Sequence, residues 1–197
     1  MTATRHLPAE RQRGLTLIEV LVTLIVLLIG LLGMVTLLVS SQKAEAEAYQ
    51  RAQALLLLQD MATRIGANRL VAACYVVTTD QAAGTPYMGT GSAVVPACGL
   101  GTITAYSLAN QDLADWNALL IGATETLDGN NVGTLTGARG CVTVDPANSR
   151  LYTVSVAWQG LNATAVPDAT LTCGKDLYGD EKLRRVVSLV VRIANLT

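Results

Sequence analysis

The chain has almost no histidine and no phenylalanine at all. Its 197 residues include no phenylalanine and a single histidine, His6, which precedes Gly14. A serine or cysteine nucleophile needs a neighbouring base, and the residues after His6 include no imidazole to supply one. No phosphate-binding glycine loop with its lysine occurs either. The sequence therefore predicts a protein that is not an enzyme and that holds no cofactor.

Charge is also scarce, and it is unevenly distributed. Lysine and arginine together number 14 and aspartate and glutamate 15, a net charge of −1. Residues 1–14 hold three arginines and one glutamate, which gives this stretch +2 and leaves −3 on the remainder. Neither part has the basic stripe typical of nucleic-acid binding. No nucleic-acid partner is expected.

A long uncharged stretch follows the basic N-terminus. No charged residue occurs from Val20 to Val39, and about 20 apolar residues suffice to span a bilayer. Arginine-rich flanks of a span stay in the cytoplasm, so the residues beyond Ser40 are predicted to lie outside it. In a secretory signal peptide the cleavage site follows the apolar segment, whereas here the natural processing point, Gly14, precedes it. The apolar segment would therefore remain on the mature protein.

The residues around Gly14 combine a short basic leader that ends in glycine, a hydrophobic residue, and a glutamate five residues after the glycine. This arrangement resembles the class III signal of type IV pilins and pseudopilins, and Arg13 to Leu21 match it almost throughout. By that resemblance a prepilin peptidase cuts between Gly14 and Leu15 and methylates the new amine. Glu19 would offset the N-terminal amine of a neighbouring subunit during assembly. The family most often has phenylalanine at the position of Leu15.

Two other interpretations of this segment remain open. It could be an ordinary single-span anchor with an accidental glycine, or a conventional signal peptide cut near Ser40 and Ser41. Glu19 argues against both, because a carboxylate at the edge of a spanning segment is costly and is usually kept for a function.

The four cysteines are Cys74, Cys98, Cys141 and Cys173. An even number of cysteines outside the cytoplasm predicts two disulfides. Of the three possible connectivities, Cys74 with Cys98 and Cys141 with Cys173 is favoured, because it joins neighbours along the chain and closes loops of moderate length. No Cys-x-x-Cys spacing occurs, so a zinc site is not expected.

The first part of the chain predicts one continuous helix from about Thr16 to Ile65, with a stop at Gly66 and Asn68. Helical spacing places one apolar stripe on its second half, formed by Ala48, Ala52, Leu55, Leu58, Ala62 and Ile65. The predicted organisation is a leader over residues 1–14, a pilin helix over residues 15–66 with a membrane span at about 15–40, and a periplasmic head over residues 67–197.

Short segments make up the predicted head. A strand is expected over residues 75–79, an irregular loop over 81–101, and a helix over 110–120 capped by Asn110 or Asp112. Residues 141–144 and 151–159 form a half-buried antiparallel hairpin, because apolar and polar side chains alternate along the second run. Residues 183–196 supply a final strand. The fold class is α+β, a helix packed on an antiparallel sheet, which is the type IV pilin fold by resemblance.

Later segments are similar, in their order, to those of the minor pilin family called type IV pilus modification protein PilV. They are Leu113–Trp116, Gly140–Val142, Tyr152–Gly160, Cys173–Gly174 and Tyr178–Val186. This resemblance implies an inner-membrane protein that enters the pilus with other minor pilins and the major pilin. It would join a complex that primes pilus assembly at or near the tip, support twitching motility and adhesion, and have a tip adhesin as a further partner.

Two alternative functions are compatible with the same residues. One is a minor pseudopilin of a type II secretion system, whose N-terminal signal has the same pattern. The other is a membrane-anchored periplasmic binding domain that never polymerises.

Three charged groups in the head could carry further chemistry. The acidic runs at residues 128–131 and 176–181 could hold calcium, but they lack the ligand spacing of a calcium loop and are typical of solvated turns. Lys182, Arg184 and Arg185 form an exposed cationic cluster that could face a partner subunit or pair with Asp180 and Glu181.

Overall fold

The computed structural model describes residues 14–92, 97–123, 126–127, 130–131 and 135–194. It divides into two compact units, residues 1–44 and residues 45–197, which are considered separately. The predicted leader lies outside the described residues except for Gly14.

The long helix α1, Leu17–Ala67, begins and ends within two residues of the predicted limits. Within the first unit, every residue from 17 to 44 is exposed. The helix continues without a break through Gly30 and Gly33, and a Cβ atom added at either glycine would have no heavy atom within 4 Å. From Val20 to Val39 the surface is uncharged and largely apolar on all sides, which is the pattern of a helix that is buried by something other than its own chain.

In the second unit, the face through which α1 packs coincides with the predicted stripe only in its C-terminal half. The buried residues are Gln50, Ala54, Leu58, Met61 and Ile65. Leu58 and Ile65 of the predicted stripe are therefore buried and Ala62 is half-buried, but Ala48, Ala52 and Leu55 are exposed. The prediction was wrong here because the run of four leucines at 55–58 offers an apolar residue to every side of the helix, so periodicity alone does not select the packed face.

A four-stranded antiparallel sheet forms the other layer of the head. Its order is β1 (Met88–Gly89), β4 (Arg139–Asp145), β5 (Asn148–Gln159) and β6 (Arg184–Arg192). A separate ribbon pairs β2 (Thr126–Leu127) with β3 (Asn130–Asn131). The predicted hairpin is β4 and β5, and the predicted final strand is β6. The α+β class is thus confirmed, with α1 and α2 (Ile103–Leu120) contributing to the same hydrophobic core as the sheet.

Two predicted elements differ in the structure. Residues 69–75 form a 3-10 helix, Arg69–Tyr75, and the extended segment after it bonds irregularly: the amides of Val77 and Thr78 both donate to the Val142 carbonyl oxygen. Helix α2 begins seven residues earlier than predicted, because Thr102 caps it by accepting from the Ala105 amide. Asn110 does not cap the helix, since its side chain donates to and accepts from the backbone of Cys98.

Strand β5 is buried on both faces near its end rather than on one. Ser155 and Ala157 were predicted to face solvent, yet both are buried. A second small core, made of Cys141, Ala157, Cys173 and Tyr178, covers this face. The alternation of side chains along β5 cannot predict this burial, because Cys173 and Tyr178 belong to a loop distant in sequence.

Candidate processing and assembly site

The Gly14–Leu15 peptide bond lies just ahead of α1, in exposed and non-helical backbone. Leu15 is 74% exposed, and no heavy atom would lie within 4 Å of a Cβ added at Gly14. The first hydrogen bonds of the helix are made to Thr16, whose carbonyl oxygen accepts from the amides of Glu19 and Val20 at 3.1 and 3.2 Å. The bond is therefore accessible from outside the helix.

Glu19 is in the first turn of α1, and its side chain is exposed. A negative charge in this position is favourable beside the positive end of the helix dipole. Within the part of the chain that the structure describes, its carboxylate accepts no hydrogen bond and forms no ion pair. Glu19 thus presents an uncompensated charge at the border of an apolar surface.

Thr16 has a role in capping α1 that the sequence analysis missed. Its Oγ1 accepts from the Glu19 amide at 3.4 Å, which is one half of a capping box. The signal was present in the sequence as Thr-x-x-Glu over residues 16–19. Thr16 therefore fixes where the helix begins, and so how far the Gly14–Leu15 bond lies from it.

Helix α1 is the one described helix that is long and apolar enough to cross a membrane, judged by length and composition. Its apolar side chains up to Val39 are between 45% and 84% exposed. Exposed apolar surface of this extent is costly in water. The segment requires lipid or other apolar chains around it.

The four cysteines lie in the second unit and form two disulfides. Cys74 is joined to Cys98 and Cys141 to Cys173, with Cα atoms 5.3 and 5.9 Å apart. This is the pairing that the chain order favours. The first bridge connects the 3-10 helix to the segment before α2, and the second connects β4 to the loop before β6. The second bridge holds its loop against the sheet, and the first joins two segments outside it.

Arg184 is buried, contrary to the expectation of an exposed cationic cluster. It is 3% exposed, its Nε donates to Glu181 Oε2 at 2.7 Å, and its Nη1 donates to the carbonyl oxygens of Leu171 and Cys173. The guanidinium therefore holds the backbone on either side of Cys173, in addition to the disulfide Cys141–Cys173. The burial of Arg184 was not predictable from the sequence, since its neighbours along the chain are charged.

Arg185 also has partners within the head. Its Nη2 lies 3.4 Å from Glu47 Oε1 and donates to the Asn162 carbonyl oxygen at 2.6 Å. Glu47 belongs to the part of α1 in the same unit, so this contact joins the helix to β6. Lys182 is exposed. Lys182 is thus the one exposed member of the predicted cluster, and the ion pair of Arg184 with Glu181 matches the alternative in which the cluster pairs with neighbouring carboxylates.

The carboxylates of Asp180 and Glu181, in the acidic run at residues 176–181, accept hydrogen bonds from nearby backbone amides and from Arg184. Both carboxylate oxygens of Glu181 are occupied, by Arg184 and by the Asp176 amide at 2.7 Å. Asp180 caps the short 3-10 helix Glu181–Leu183 by accepting from the Lys182 amide. Among the described residues, no group of three or more histidine, cysteine, aspartate or glutamate side chains is placed to hold a metal ion. Of the other acidic run, Asp128 and Gly129 lie outside the described residues.

A buried polar network fastens α1 to its neighbours. Asp112 of α2 accepts from Arg64 Nη1 at 2.7 Å and from the Tyr75 hydroxyl at 2.5 Å. Arg64 also donates to Asp60 at 2.8 Å. Burial and, next, the hydrogen bond to Asp112 raise the pKa of Tyr75. The network fixes α1, the 3-10 helix and α2 in one arrangement.

Comparison with known proteins identifies the N-terminal segment. Residues 10–35 match the family model of the prokaryotic N-terminal methylation motif. Neither curated proteins nor solved structures gave a significant match. The matched stretch contains Gly14, Leu15 and Glu19, and it leads into a long helix on an antiparallel sheet. The motif, together with this fold, indicates a type IV pilin-like or pseudopilin protein.

Proposed function

We propose that this chain is a minor type IV pilin. Residues 1–14 are a leader that a prepilin peptidase removes, and the new amine of Leu15 is N-methylated. Residues 15–66 are the pilin helix, of which residues 15–40 lie in the inner membrane before assembly, and residues 67–197 are the periplasmic head. The mature protein joins the major pilin and other minor pilins in a complex that primes assembly at or near the pilus tip. It thereby supports twitching motility and adhesion, with a tip adhesin as a further partner.

The observation that carries this proposal is an uncovered apolar helix whose first part lies within the methylation motif. Residues 17–44 are exposed on all sides, and the motif covers residues 10–35. Before assembly the membrane would cover this surface, and in a filament the helices of other subunits would. Burial contributes about 25 cal/mol for each Å² of apolar surface, so the helix supplies most of the association energy in either setting.

Gly14 fits recognition by a peptidase better than it fits a structural need. Its φ is not in the left-handed region, and a Cβ there would meet nothing within 4 Å. Any small residue could therefore occupy this position in the folded chain. A glycine without a conformational reason supports a role in processing.

Glu19 supports assembly for a similar reason. Its carboxylate has no partner among the described residues, although it lies at the start of a segment that requires apolar surroundings. In a filament it would face the methylated, positively charged amine of Leu15 on a neighbouring subunit. Such a pair in a medium of low dielectric constant is much stronger than it would be in water. It would set the register between adjacent helices.

Incorporation of full-length variants into sheared pili tests this role. We expect Glu19→Ala and Glu19→Gln to accumulate in the membrane and to be lost from pili, since both remove the charge. Glu45→Ala is the matched control, because Glu45 is an exposed carboxylate on the same helix. It should be incorporated like the parent chain. Unchanged incorporation of Glu19→Ala would contradict the assembly role of Glu19, and absence of the parent chain itself from sheared pili would indicate an anchored domain that does not polymerise.

Deletion of the gene separates the two kinds of filament. Loss of piliation with normal protein secretion supports the pilus assignment. Loss of secretion through a type II system, with normal piliation, would make the chain a minor pseudopilin.

A further inference from the structure

Strand β6 has one free edge. It is the last strand of the sheet and pairs only with β5. The amide of Ile193 donates to the Arg150 carbonyl oxygen, and the Gly160 amide donates to that of Leu183. Because backbone groups alternate between the two sides of a strand, odd-numbered residues of β6 face β5 and even-numbered residues face outward.

Beyond Arg184, whose amide donates to the Glu181 carbonyl oxygen, the outward groups of β6 lack partners in the described part of the chain. They are the amide and carbonyl groups of Val186, Ser188, Val190 and Arg192. No described residue forms a hydrogen bond with them, and Ser188 and Val190 are exposed. A row of free backbone donors and acceptors is a template for pairing with another strand.

Nothing in β6 itself blocks such pairing. Proteins commonly protect an edge with a lysine, a proline or a β-bulge. Residues 186–191 contain no charge, no proline and no glycine, and the register with β5 runs without a shift from Leu151 to Gln159. Leu189 and Val190 are 40% and 62% exposed. The edge is regular, apolar and open.

An open groove of about 420 Å³ lies beside this edge. It is lined by Leu189, Val190 and Val191 of β6 and by Gln59, Ala62 and Thr63 of α1. All six residues belong to the second unit. A strand paired with β6 would place alternate side chains over this groove, which gives it apolar contact as well as backbone hydrogen bonds.

Charge distinguishes between the possible occupants. Strand β6 carries Arg184, Arg185 and Arg192 and no acidic residue. In an antiparallel pair of two copies centred on Ser188, Arg192 would lie opposite Arg184 of the second copy, so the pairing would offer Arg192 no carboxylate. Arg184 and Arg185 pair with Glu181 and Glu47, whereas exposed Arg192 has no ion pair among the described residues. A second copy is therefore a poor fit.

We propose that the outer edge of β6 accepts an extended segment of a different chain, which adds a fifth strand to the sheet and places a carboxylate beside Arg192. The outward amides of Val186, Ser188 and Val190 supply the hydrogen bonds, and the groove between β6 and α1 receives the apolar side chains. This site is independent of membrane insertion and of the N-terminal motif.

Amide hydrogen exchange on the isotopically labelled full chain in detergent micelles tests the proposal. The probe is a synthetic peptide of alternating valine and threonine with a glutamate at each end. On peptide addition we expect exchange at Val186, Ser188 and Val190 to slow by about tenfold or more, as for newly bonded amides. Val187 and Leu189 should not change, because their amides already face β5.

Two variants and a second peptide provide the controls. Ser188→Pro removes an outward donor without losing a bond to β5, so it should abolish the protection, and Ser188→Thr should retain it. Arg192→Glu should weaken peptide binding about tenfold, and a peptide with lysine in place of both glutamates should bind the parent chain weakly.

Three outcomes would overturn the proposal. The first is no slowing at the outward amides at any peptide concentration. The second is equal protection by the glutamate and lysine peptides, a comparison that needs no variant to fold. The third is protection without peptide that grows with protein concentration, which would identify a second copy as the occupant. Because no pilus is needed, failure here leaves the proposed function standing.

Discussion

The indole ring of Trp116 lies directly over the backbone of Gly140. A Cβ atom added at residue 140 would come within 2.2 Å of that ring and within 2.7 Å of Leu120. Trp116 is fully buried, and its Nε1 donates to the Leu57 carbonyl oxygen at 3.0 Å. One indole thus connects α2, the sheet and α1, and a glycine on β4 provides the space for it.

Replacing this glycine should destabilise the head. We expect Gly140→Ala to lower the free energy of unfolding by about 2 kcal/mol, because the methyl group must displace a buried ring. Urea unfolding of the full chain in detergent measures this change. Gly66→Ala is the control: it lies in α1, nothing is within 4 Å of its Cβ position, and it should be neutral or stabilising by up to about 1 kcal/mol. Equal effects of the two substitutions would contradict the packing described.

Arg184 should matter more for stability than any exposed arginine. Arg184→Ala leaves Glu181 and the carbonyl oxygens of Leu171 and Cys173 without their shared donor, and should cost about 3 kcal/mol. Arg150→Ala, at an exposed position of β5, should change the free energy of unfolding by less than about 0.5 kcal/mol. Thermal unfolding under non-reducing conditions compares the two variants. If Arg184→Ala unfolds like the parent chain, the guanidinium does not hold this loop.

The raised pKa of Tyr75 predicts that the folded chain loses stability at high pH. Its pKa is raised above 10.0 by burial and by the hydrogen bond to Asp112. Above about pH 10 the phenol ionises in the unfolded chain while it stays neutral in the folded one. Each further pH unit should therefore cost about 1.4 kcal/mol from this residue. Below pH 10 both states are neutral, and this contribution is constant.

The pH dependence of unfolding in the variant Tyr75→Phe checks this effect. The variant should be less stable near neutral pH, by about 1 to 2 kcal/mol for the lost hydrogen bond. Its stability should also decline less steeply than that of the parent chain above pH 10. Tyr49→Phe, at a position 55% exposed, serves as the control. Parallel curves for Tyr75→Phe and the parent chain would show that the phenol is not shielded.

Much of the fold could be predicted because its strongest signals are local. The uncharged run from Val20 to Val39 and the helix formers after it determine α1, and alternation over residues 151–159 determines β5. What failed depends on contacts distant in sequence. Gln50 takes a buried position that apolar periodicity cannot assign to a polar residue. Thr102, rather than Asn110, caps α2 because Asn110 bonds to Cys98.

The candidate site was predictable to a similar extent. Gly14, Leu15 and Glu19 lie within six residues of one another along the chain, so a short sequence motif suffices to find them. Arg184 was placed on the surface because its neighbours in sequence are charged, and only the loop containing Cys173 covers it. The free edge of β6 could not be found either, since it depends on the order of strands in the sheet and not on the sequence of β6.

The central claim is that the chain is processed as a pilin, and its intact mass tests this most directly. The chain would be coexpressed with a prepilin peptidase, purified from membranes, and measured under non-reducing conditions. We predict the mass of residues 15–197 plus one methyl group, less four hydrogens for the disulfides Cys74–Cys98 and Cys141–Cys173. The mass of a chain that begins at Met1 or near Ser40 would contradict the account, because the protein would then be an ordinary anchored or secreted domain.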